Sequence, residues 1–302
     1  MSKRRLLVTG ANGFVAGSVL AQAGPGWQVH ALSRSAAPAR RGEICWHACE
    51  YTVPAELSLI FNETQPDAVI HTAALADIDY CQSHPELALT VNVEVTRTLV
   101  ELCGNADTKL VLCSTDTVFD GEHAPYDETA KPLPVNHYAE TKVAAEQLVN
   151  RLGKNSAIAR LSLVVGLPVM GPGNSFLARM LTSLKEGRAV SVPEFEIRTP
   201  VDVITVGQAL LELATGPHEG IFHLAGLERL SRFAMARKIA ARFGFSEELV
   251  LAQANAVTPG RARRPRDVSL ANARTCARLK TPMRSLDDGL SLILKKLETF
   301  PT

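Results

Sequence analysis

Apolar runs and helical stretches alternate through the first half of the 302-residue chain. Continuous apolar segments such as AVIHTAA and KLVLCS are typical of strands buried on both faces, as in parallel sheets covered by helices. Because strand and helix alternate, we expect a Rossmann-type, doubly wound α/β fold. The candidate strands are Arg5 to Thr9, Gln28 to Ser33, Ile44 to Cys49, Ala68 to Thr72, Leu110 to Ser114 and Ala157 to Val165. Helices are predicted after the first strand, over Pro54 to Glu63, over Pro85 to Leu102 and around Tyr138.

The turn VTGANGFVAG follows the first strand and opens a helix, with glycines at Gly10 and Gly13 and a third small residue at Ala16. Glycine lets the backbone turn tightly and approach a pyrophosphate, which the free N–H groups of a helix N-terminus favour. We therefore predict that this turn binds a dinucleotide; an ordinary strand-to-helix turn is the alternative. The predicted cofactor residues here are Gly10, Asn12, Gly13, Phe14 and Val15.

The second strand ends in ALSRS, which places Arg34 where a carboxylate would hold the ribose 2′-hydroxyl of NAD. A cation at this position favours a 2′-phosphate, so we predict NADP(H) in preference to NAD(H). Arg40 and Arg41 are near enough in sequence to assist. The alternative is a solvated arginine beside a turn.

The regular alternation loosens after Gly166, where GLPVMGPGN is rich in glycine and proline. A helix is predicted from Ser175 to Lys185, a strand-and-helix unit returns in RTPVDVITVGQALLELA, and the apolar run GIFHLAG follows. We predict a dinucleotide-binding domain over residues 1–166, rejoined by 203–226. The remainder, 167–202 and 227–302, is predicted to form a smaller, discontinuous substrate lobe over the carboxyl ends of the strands.

Positive and negative side chains are balanced, with 32 Lys plus Arg against 31 Asp plus Glu. Neither nucleic acid nor a membrane is therefore an expected partner, and no apolar run reaches membrane-spanning length. Six scattered cysteines predict reduced thiols in a cytoplasmic protein. Cys45, His47 and Cys49 alternate in ICWHACE but have no second ligand pair at zinc-site spacing, so we interpret them as part of a strand and predict no metal.

Tyr138 and Lys142 are four residues apart in HYAETKVAAEQLVNRL, which places both on one face of an apparent helix. An ammonium beside a phenol favours its ionised form, whereas a tyrosine with the ordinary pKa of about 10 is a poor acid or base near neutrality. The fifth strand ends in CSTDTVFDG, where a hydroxyl of Ser114 or Thr115 can hydrogen-bond a carbonyl oxygen beside Tyr138. A turn or capping role for that hydroxyl is the alternative.

These motifs occur in the order found in extended short-chain dehydrogenase/reductases, and the chain most resembles the dTDP-4-dehydrorhamnose reductase family. STDTVFDG is similar to that family's STDYVFDG, PDAVIHTAA to its PDVVINAAA, and RPRDVSLANARTCARL to its RPRDSRLDTSKL. The resemblance covers nearly the whole chain. It implies that Tyr138 protonates a substrate carbonyl, that Thr115 holds the carbonyl oxygen, and that Lys142 binds the nicotinamide ribose and lowers the pKa of the tyrosine.

The resemblance also implies roles for residues around this set. Glu50 stands where the family usually has an aspartate that contacts adenine, Ala73 and Ala74 would border the cofactor, and Asn92 would support the active-site helix or a water relay. Guanidinium groups match phosphate geometry, which makes the late arginines, including Arg263 and Arg264, candidates for a sugar-nucleotide diphosphate; a salt bridge between Arg266 and Asp267 or a nearby acid is the alternative. The positions expected to contact the substrate are Asp79, Asp116, Thr117, Arg198 and Arg266.

The implied activity is NADPH-dependent reduction of a 4-keto sugar nucleotide. Departures from the family at Thr117, Leu75 and Ala76 leave the particular sugar open. Thr117 stands where related dehydratases have a catalytic glutamate, so dehydration is not expected. Two alternatives stay open: epimerisation of a sugar nucleotide, and a non-catalytic NADP-binding subunit similar to the regulatory subunit of methionine adenosyltransferase. A homodimer is also possible.

Overall fold

The computed structural model describes residues 3–35, 43–170, 175–254 and 261–299. Its strands are β1 (Arg4–Thr9), β2 (Trp27–Ser33), β3 (Cys45–Ala48), β4 (Ala68–His71), β5 (Lys109–Thr115), β6 (Ser156–Leu161), β7 (Val164–Val165), β8 (Val190–Pro193), β9 (Ile197–Arg198), β10 (Val201–Asp202), β11 (Gly220–Leu224), β12 (Leu230–Ser231) and β13 (Val250–Gln253). Seven of them form one sheet in the order β11-β6-β5-β4-β1-β2-β3. Every pairing in this sheet is parallel, which confirms the predicted doubly wound architecture.

Helices connect these strands and cover the sheet. They are α1 (Phe14–Gln22), α2 (Pro54–Thr64), α3 (Ile78–Ser83), α4 (Pro85–Leu89), α5 (Val95–Ala106), α6 (His137–Leu152), α7 (Phe176–Lys185), α8 (Val203–Thr215), α9 (Arg232–Arg242), α10 (Ala273–Arg278) and α11 (Leu286–Thr299). None of the helices within the described ranges combines the length and the apolar character needed to span a membrane.

Alternating side chains of the central strands enter two separate cores. Leu6 of β1 packs in one core with apolar residues of α1 and α8, such as Val19 and Leu210. Leu7 points into the other core, where α2, α5 and α6 contribute residues such as Leu57. A strand buried on both faces needs apolar side chains at consecutive positions, which is why these strands read as unbroken apolar runs.

A third core lies outside the main sheet and is built from the later part of the chain. Met180 of α7, Ile239 of α9 and Leu290 of α11 are buried together there. Gly220–Leu224 instead pairs in parallel with Ser156–Leu161 and extends the main sheet. The division into a cofactor domain and a discontinuous substrate lobe stays a prediction.

Two predicted elements are interrupted in the structure. The predicted helix from Pro85 to Leu102 contains a π-helical turn at Thr90–Glu94. The predicted strand from Ala157 to Val165 ends at Leu161, because the chain leaves the sheet at Ser162; Val164–Val165 then pairs with β10. Asn92 in the π-helical turn and Ser162 after the strand make hydrogen bonds to residues far along the chain, which a local apolar pattern does not reveal.

The segment that contains Cys45 and His47 is a strand, as predicted. Cys45–Ala48 forms β3 beside β2. Cys45 is exposed whereas Cys49, just past the strand, is buried, so the two thiols lie in different environments. No group of three or more His, Cys, Asp or Glu side chains in the described part of the chain is arranged to hold a metal ion.

A buried ion pair fastens α6 to the sheet. Arg160 of β6 donates through Nε and Nη2 to Glu146 of α6, at 3.0 and 2.7 Å, and the Ser114 hydroxyl donates to the same carboxylate at 2.5 Å. The Arg160 and Glu146 side chains are only 2% and 3% exposed. Such a pair costs desolvation to form, but removing one partner leaves a buried charge without compensation.

We expect Glu146→Ala to lower the free energy of unfolding by about 3–5 kcal/mol, because the Arg160 guanidinium loses its buried counter-charge. Urea denaturation followed by circular dichroism measures the change. Glu247→Ala, which removes the exposed partner of Arg237, is the control and is expected to have a much smaller effect. Equal effects of the two substitutions would contradict the prediction.

His71 is a second buried polar group, at the end of β4. Its Nδ1 lies 2.7 Å from the Thr9 hydroxyl of β1, and its Nε2 lies 3.1 Å from the Thr96 hydroxyl of α5. Burial, with a smaller contribution from the Lys142 charge, lowers the pKa of His71 to about 3. The folded protein therefore holds this imidazole neutral.

Because the pKa of His71 is lower in the folded chain, its contribution to stability is present above the unfolded value of about 6.5. It is lost as the pH falls from there toward about 3, since the unfolded chain takes up the proton first. We expect the stability difference between wild type and His71→Asn to shrink over this range, measured by urea denaturation at several pH values. His84→Asn, at an exposed imidazole, gives the background; a His71→Asn difference as flat as that control would argue against the assignment.

Candidate active site

The carboxyl ends of β1, β2, β4 and β5 lie along one edge of the sheet, because these strands are parallel and neighbours in register. Open α/β sheets bind ligands at this edge. The loops that follow these strands carry most of the residues predicted for the site. The N-terminal part of α6 supplies Tyr138 and Lys142 to the same edge, where Lys142 contacts β5.

The glycine turn after β1 packs closely against neighbouring backbone, so a side chain would not fit there. Gly10 has φ +68°, and a Cβ there would lie 2.7 Å from the Ala73 Cα, so only glycine fits. A Cβ at Gly13 would lie 2.9 Å from the Gly10 carbonyl oxygen. Gly13 is also the N-cap of α1, with no side-chain hydrogen bond to the first turn. The turn therefore suits close approach of an anionic pyrophosphate.

Other predicted residues of this turn have distinct environments. Asn12 donates to the Ser35 hydroxyl at 2.5 Å, which ties the turn to the chain after β2. Phe14 packs against the third core and Val15 against the α1/α8 side of the sheet. Both residues are partly buried and contribute side chains to packing.

Arg34 is exposed directly after β2, at the position predicted to carry a cation for the cofactor. It hydrogen-bonds the phenol of Tyr51, and its charge opposes the rise that burial causes in the pKa of that tyrosine. Arg40 and Arg41 lie outside the described residues. Glu50 is half-buried after β3 and accepts hydrogen bonds from the backbone N–H and the hydroxyl of Thr52, at 3.3 and 2.7 Å.

Asn92 links the loop after β4 to α6. Its side chain accepts from the Leu75 N–H at 2.8 Å and donates to the Leu75 carbonyl at 3.1 Å. It also donates to the Thr141 hydroxyl at 2.9 Å, between Tyr138 and Lys142 in sequence. Ala73 in this loop is buried against Gly10, and Ala74 is half-buried. The π-helical turn sets Asn92 in this position, a common feature of functional sites.

Helix α6 begins at an Asn136 cap, whose side chain accepts from the Ala139 N–H at 3.0 Å. Tyr138 is half-buried and hydrogen-bonds the Thr115 hydroxyl at the end of β5. Lys142 is buried and donates to the Cys113 carbonyl at 2.8 Å. The structure thus brings all three predicted catalytic side chains to the end of β5.

The pKa of Tyr138 is raised in the structure, whereas a lowered pKa was expected. Burial, reinforced by the charge of Asp116, raises the pKa of Tyr138 above its usual value, and the Thr115 hydrogen bond only partly opposes the rise. Burial also lowers the pKa of Lys142. Desolvation outweighs the attraction that the four-residue spacing suggested, and the phenol is held in its protonated form.

Two predicted substrate residues are bound by other side chains of the protein. Asp116 is buried, accepts from the Ser162 hydroxyl at 3.2 Å and lies 3.6 Å from Nε of Arg198. Asp79 accepts two bonds from Arg264, at 2.6 and 2.8 Å, and a third from the Ala262 N–H. These contacts place Asp116 and Arg198 in one buried pair and fasten the segment after residue 260 to α3.

The remaining substrate candidates differ in exposure. Thr117 is buried, and its hydroxyl lies 3.0 Å from that of Thr115. Arg266 is exposed, with its guanidinium 5.8 Å from the Phe195 ring centroid. Asp267 pairs with Arg229, not with Arg266, so the alternative of an Arg266–Asp267 salt bridge is wrong.

Several residues with clear contacts at this edge were not anticipated. No local sequence signal marks Ser162 or Thr141, and Tyr51 was not predicted either. Each acts through a partner far along the chain, or across a turn whose shape the sequence does not specify. Only the position of Tyr51 beside Glu50 offered a hint.

Comparison with known proteins gives consistent relatives over the full length. The dTDP-4-dehydrorhamnose reductase of Mycobacterium tuberculosis is 30% identical over 297 residues, covering 96% of this chain and 92% of that protein. Methionine adenosyltransferase 2 subunit beta of Bos taurus is 27% identical over 284 residues, covering 92% and 82%. The crystal structure of a Bacillus anthracis dTDP-4-dehydrorhamnose reductase in complex with NADP matches with a TM-score of 0.85 at 25% identity, covering 98% of this chain and 100% of that one.

The family model described as the RmlD substrate binding domain matches residues 4–299, which include the glycine turn, the end of β5 and α6. The predicted family resemblance is confirmed by this match and by the relatives. The chain belongs to the RmlD substrate binding domain family.

Proposed function

We propose that the protein is an NADPH-dependent reductase of a 4-keto sugar nucleotide. The observation that carries the proposal is the meeting of Thr115, Tyr138 and Lys142 at the sheet edge beside the Gly10 turn. The Mycobacterium tuberculosis and Bacillus anthracis relatives bear the name of such a reductase, and the second was crystallised with NADP. A nucleotide sugar is the substrate class we infer from them.

The residues of this edge fit the cofactor. The Gly10–Gly13 turn and the uncapped first turn of α1 would hold the pyrophosphate, and Arg34 would hold a 2′-phosphate. Ala73 and Glu50 would border the adenosine half, and Lys142 the nicotinamide ribose. When bound, NADPH supplies a hydride to the substrate carbonyl carbon.

Side chains of the protein would then protonate and hydrogen-bond the carbonyl oxygen. Tyr138 holds its proton at neutral pH because burial raises the pKa of its phenol. It is therefore placed as the general acid that donates this proton to the oxygen as negative charge develops. The Thr115 hydroxyl, hydrogen-bonded to the same phenol, would donate a second bond to that oxygen. Lys142 is anchored on the Cys113 carbonyl, which keeps its amino group near the pair.

Two other functions are compatible with the same side chains. Epimerisation of a sugar nucleotide would use the same tyrosine and lysine. A non-catalytic role is favoured by one observation, the similarity over 92% of this chain to methionine adenosyltransferase 2 subunit beta, which is named as a subunit of another enzyme. Retention of the complete Thr115, Tyr138 and Lys142 set supports catalysis over that role.

Turnover is the first expected result. Mixing the protein with NADPH and a panel of 4-keto sugar nucleotides should consume NADPH, followed at 340 nm. Tyr138→Phe should reduce the rate by about 10²–10⁴-fold, the usual contribution of a general acid, while NADPH still binds. NADPH binding without consumption across the panel would favour the regulatory role, and interconversion of sugar epimers without net consumption would favour the epimerase.

Cofactor preference is the second expected result. Arg34→Asp should weaken NADPH binding by roughly 10- to 100-fold, because hydrogen bonds to charged groups are worth roughly 1.5–3 kcal/mol. NADH binding should change far less, and isothermal titration calorimetry measures both. Arg151→Asp, at an exposed position near the end of α6, is the matched control. An equal loss for the two cofactors would remove Arg34 from the 2′-phosphate site.

A further inference from the structure

Asp116 and Arg198 form a buried ion pair between two distant parts of the chain. Asp116 follows β5 directly, and Arg198 is the last residue of β9. The Arg198 Nε lies 3.6 Å from the Asp116 Oδ2, and both side chains are less than a tenth exposed. The Ser162 hydroxyl donates to the same carboxylate oxygen at 3.2 Å. No substrate is needed to give either charge a partner.

Arg198 is itself held in place by other groups. Its Nη1 donates to the Ile197 carbonyl at 2.7 Å and contacts the Pro265 carbonyl at 3.5 Å. Its Nη2 lies 3.9 Å from Glu196, a carboxylate that also pairs with Arg232 at 3.3 Å. The guanidinium is therefore anchored on several sides, with Nε directed at Asp116.

The other carboxylate oxygen of Asp116 lies near Thr115, one of the three proposed catalytic side chains. The Thr115 hydroxyl lies 3.3 Å from the Asp116 Oδ1 and 3.0 Å from the Thr117 hydroxyl, and it hydrogen-bonds Tyr138. A hydroxyl has one proton to donate. When Asp116 is ionised, it competes with Tyr138 and with any bound carbonyl oxygen for that proton.

We propose that Arg198 is a positioning residue, which keeps Asp116 ionised beside Thr115 and Tyr138 and so sets how these two side chains share their protons. Arg198 acts on the reaction through Asp116 and does not touch the reacting atoms. The kinetic part of this proposal rests on the proposed reductase function, whereas the ion-pair part does not.

The groups that face this carboxyl come from five parts of the fold. They are Arg198 of β9, Ser162 after β6, Thr115 of β5, Thr117 of the following turn, and Tyr138 of α6. Cys81 of α3 and Cys113 of β5 face the tyrosine as well. Burial raises the pKa of Asp116 to about 6, and Arg198 is the largest influence opposing that rise. Removing the arginine therefore moves the titration of Asp116 upward.

The direct test is the titration of Asp116 itself. In protein labelled with ¹³C at aspartate carboxyl carbons, the Asp116 signal is identified by its loss in Asp116→Asn and followed by NMR from pH 4 to pH 9. In Arg198→Met its midpoint should rise by roughly 1–3 pH units, the usual effect of losing an adjacent opposite charge. Arg232→Met, which breaks another pair in the same cluster, is the control and should leave the midpoint nearly unchanged.

Arg198→Lys keeps the cation and should hold the Asp116 midpoint within about one pH unit of wild type. If Arg198→Met does not fold, the double variant Arg198→Met/Asp116→Asn removes both charges and avoids a buried carboxylate without a partner. The same Asp116 midpoint in wild type and Arg198→Met overturns the proposal, whether or not the protein reduces any sugar nucleotide.

The kinetic test follows kcat/KM for NADPH consumption against pH. In wild type kcat/KM should change near the Asp116 midpoint, in Arg198→Met this inflection should move upward with that midpoint, and in Asp116→Asn and the double variant it should disappear. An inflection unchanged in the double variant overturns the proposed link to Tyr138. Absence of turnover in wild type and in every variant would refute the reductase function. The ion-pair part of the proposal would still stand if Arg198→Met shifts the Asp116 midpoint.

Discussion

The buried pair of Glu146 and Arg160 fixes the helix on which the proposed chemistry depends. Tyr138, Lys142 and Glu146 recur every four residues along one face of α6, so a single rotation of the helix would misplace all three. Glu146 is held by β6 through Arg160 and by β5 through Ser114, and Lys142 is held by the Cys113 carbonyl. The helix is thus fastened to the two strands that flank it, and Tyr138 is set against the end of β5.

Residues from the later half of the chain also contact this edge of the sheet. Arg198 reaches the turn after β5, Arg264 pairs with Asp79 beside α3, and the Arg263 carbonyl accepts from the Asn136 cap of α6. Close backbone packing accompanies these contacts, since a Cβ at Gly121 would lie 2.6 Å from the backbone nitrogen of Arg266. The segment from Arg261 onward is therefore coupled to the start of the helix that carries Tyr138.

Local sequence was enough to predict the central strands, the glycine turn and the face of α6. Each of these depends on residues adjacent in sequence or one helical turn apart, such as Gly10 with Gly13 and Tyr138 with Lys142. What escaped prediction depends on partners far apart in the chain. The engagement of Arg198 with Asp116, that of Asp79 with Arg264, and the raised pKa of Tyr138 follow from burial and three-dimensional proximity. The π-helical turn likewise exists where Asn92 meets Leu75 and Thr141, a contact that no periodicity encodes.

Two hydrogen bonds join the Asn92 side chain to the backbone of Leu75 in the loop after β4. Both the N–H and the carbonyl of Leu75 are held by a single side chain, so the path of the main chain there does not rely on which side chain Leu75 carries. Half-buried Leu75 and exposed Ala76 can then be exchanged without moving the helix that Asn92 also contacts. A loop built in this way can carry different side chains at these two positions while the helix that carries Tyr138 stays where it is.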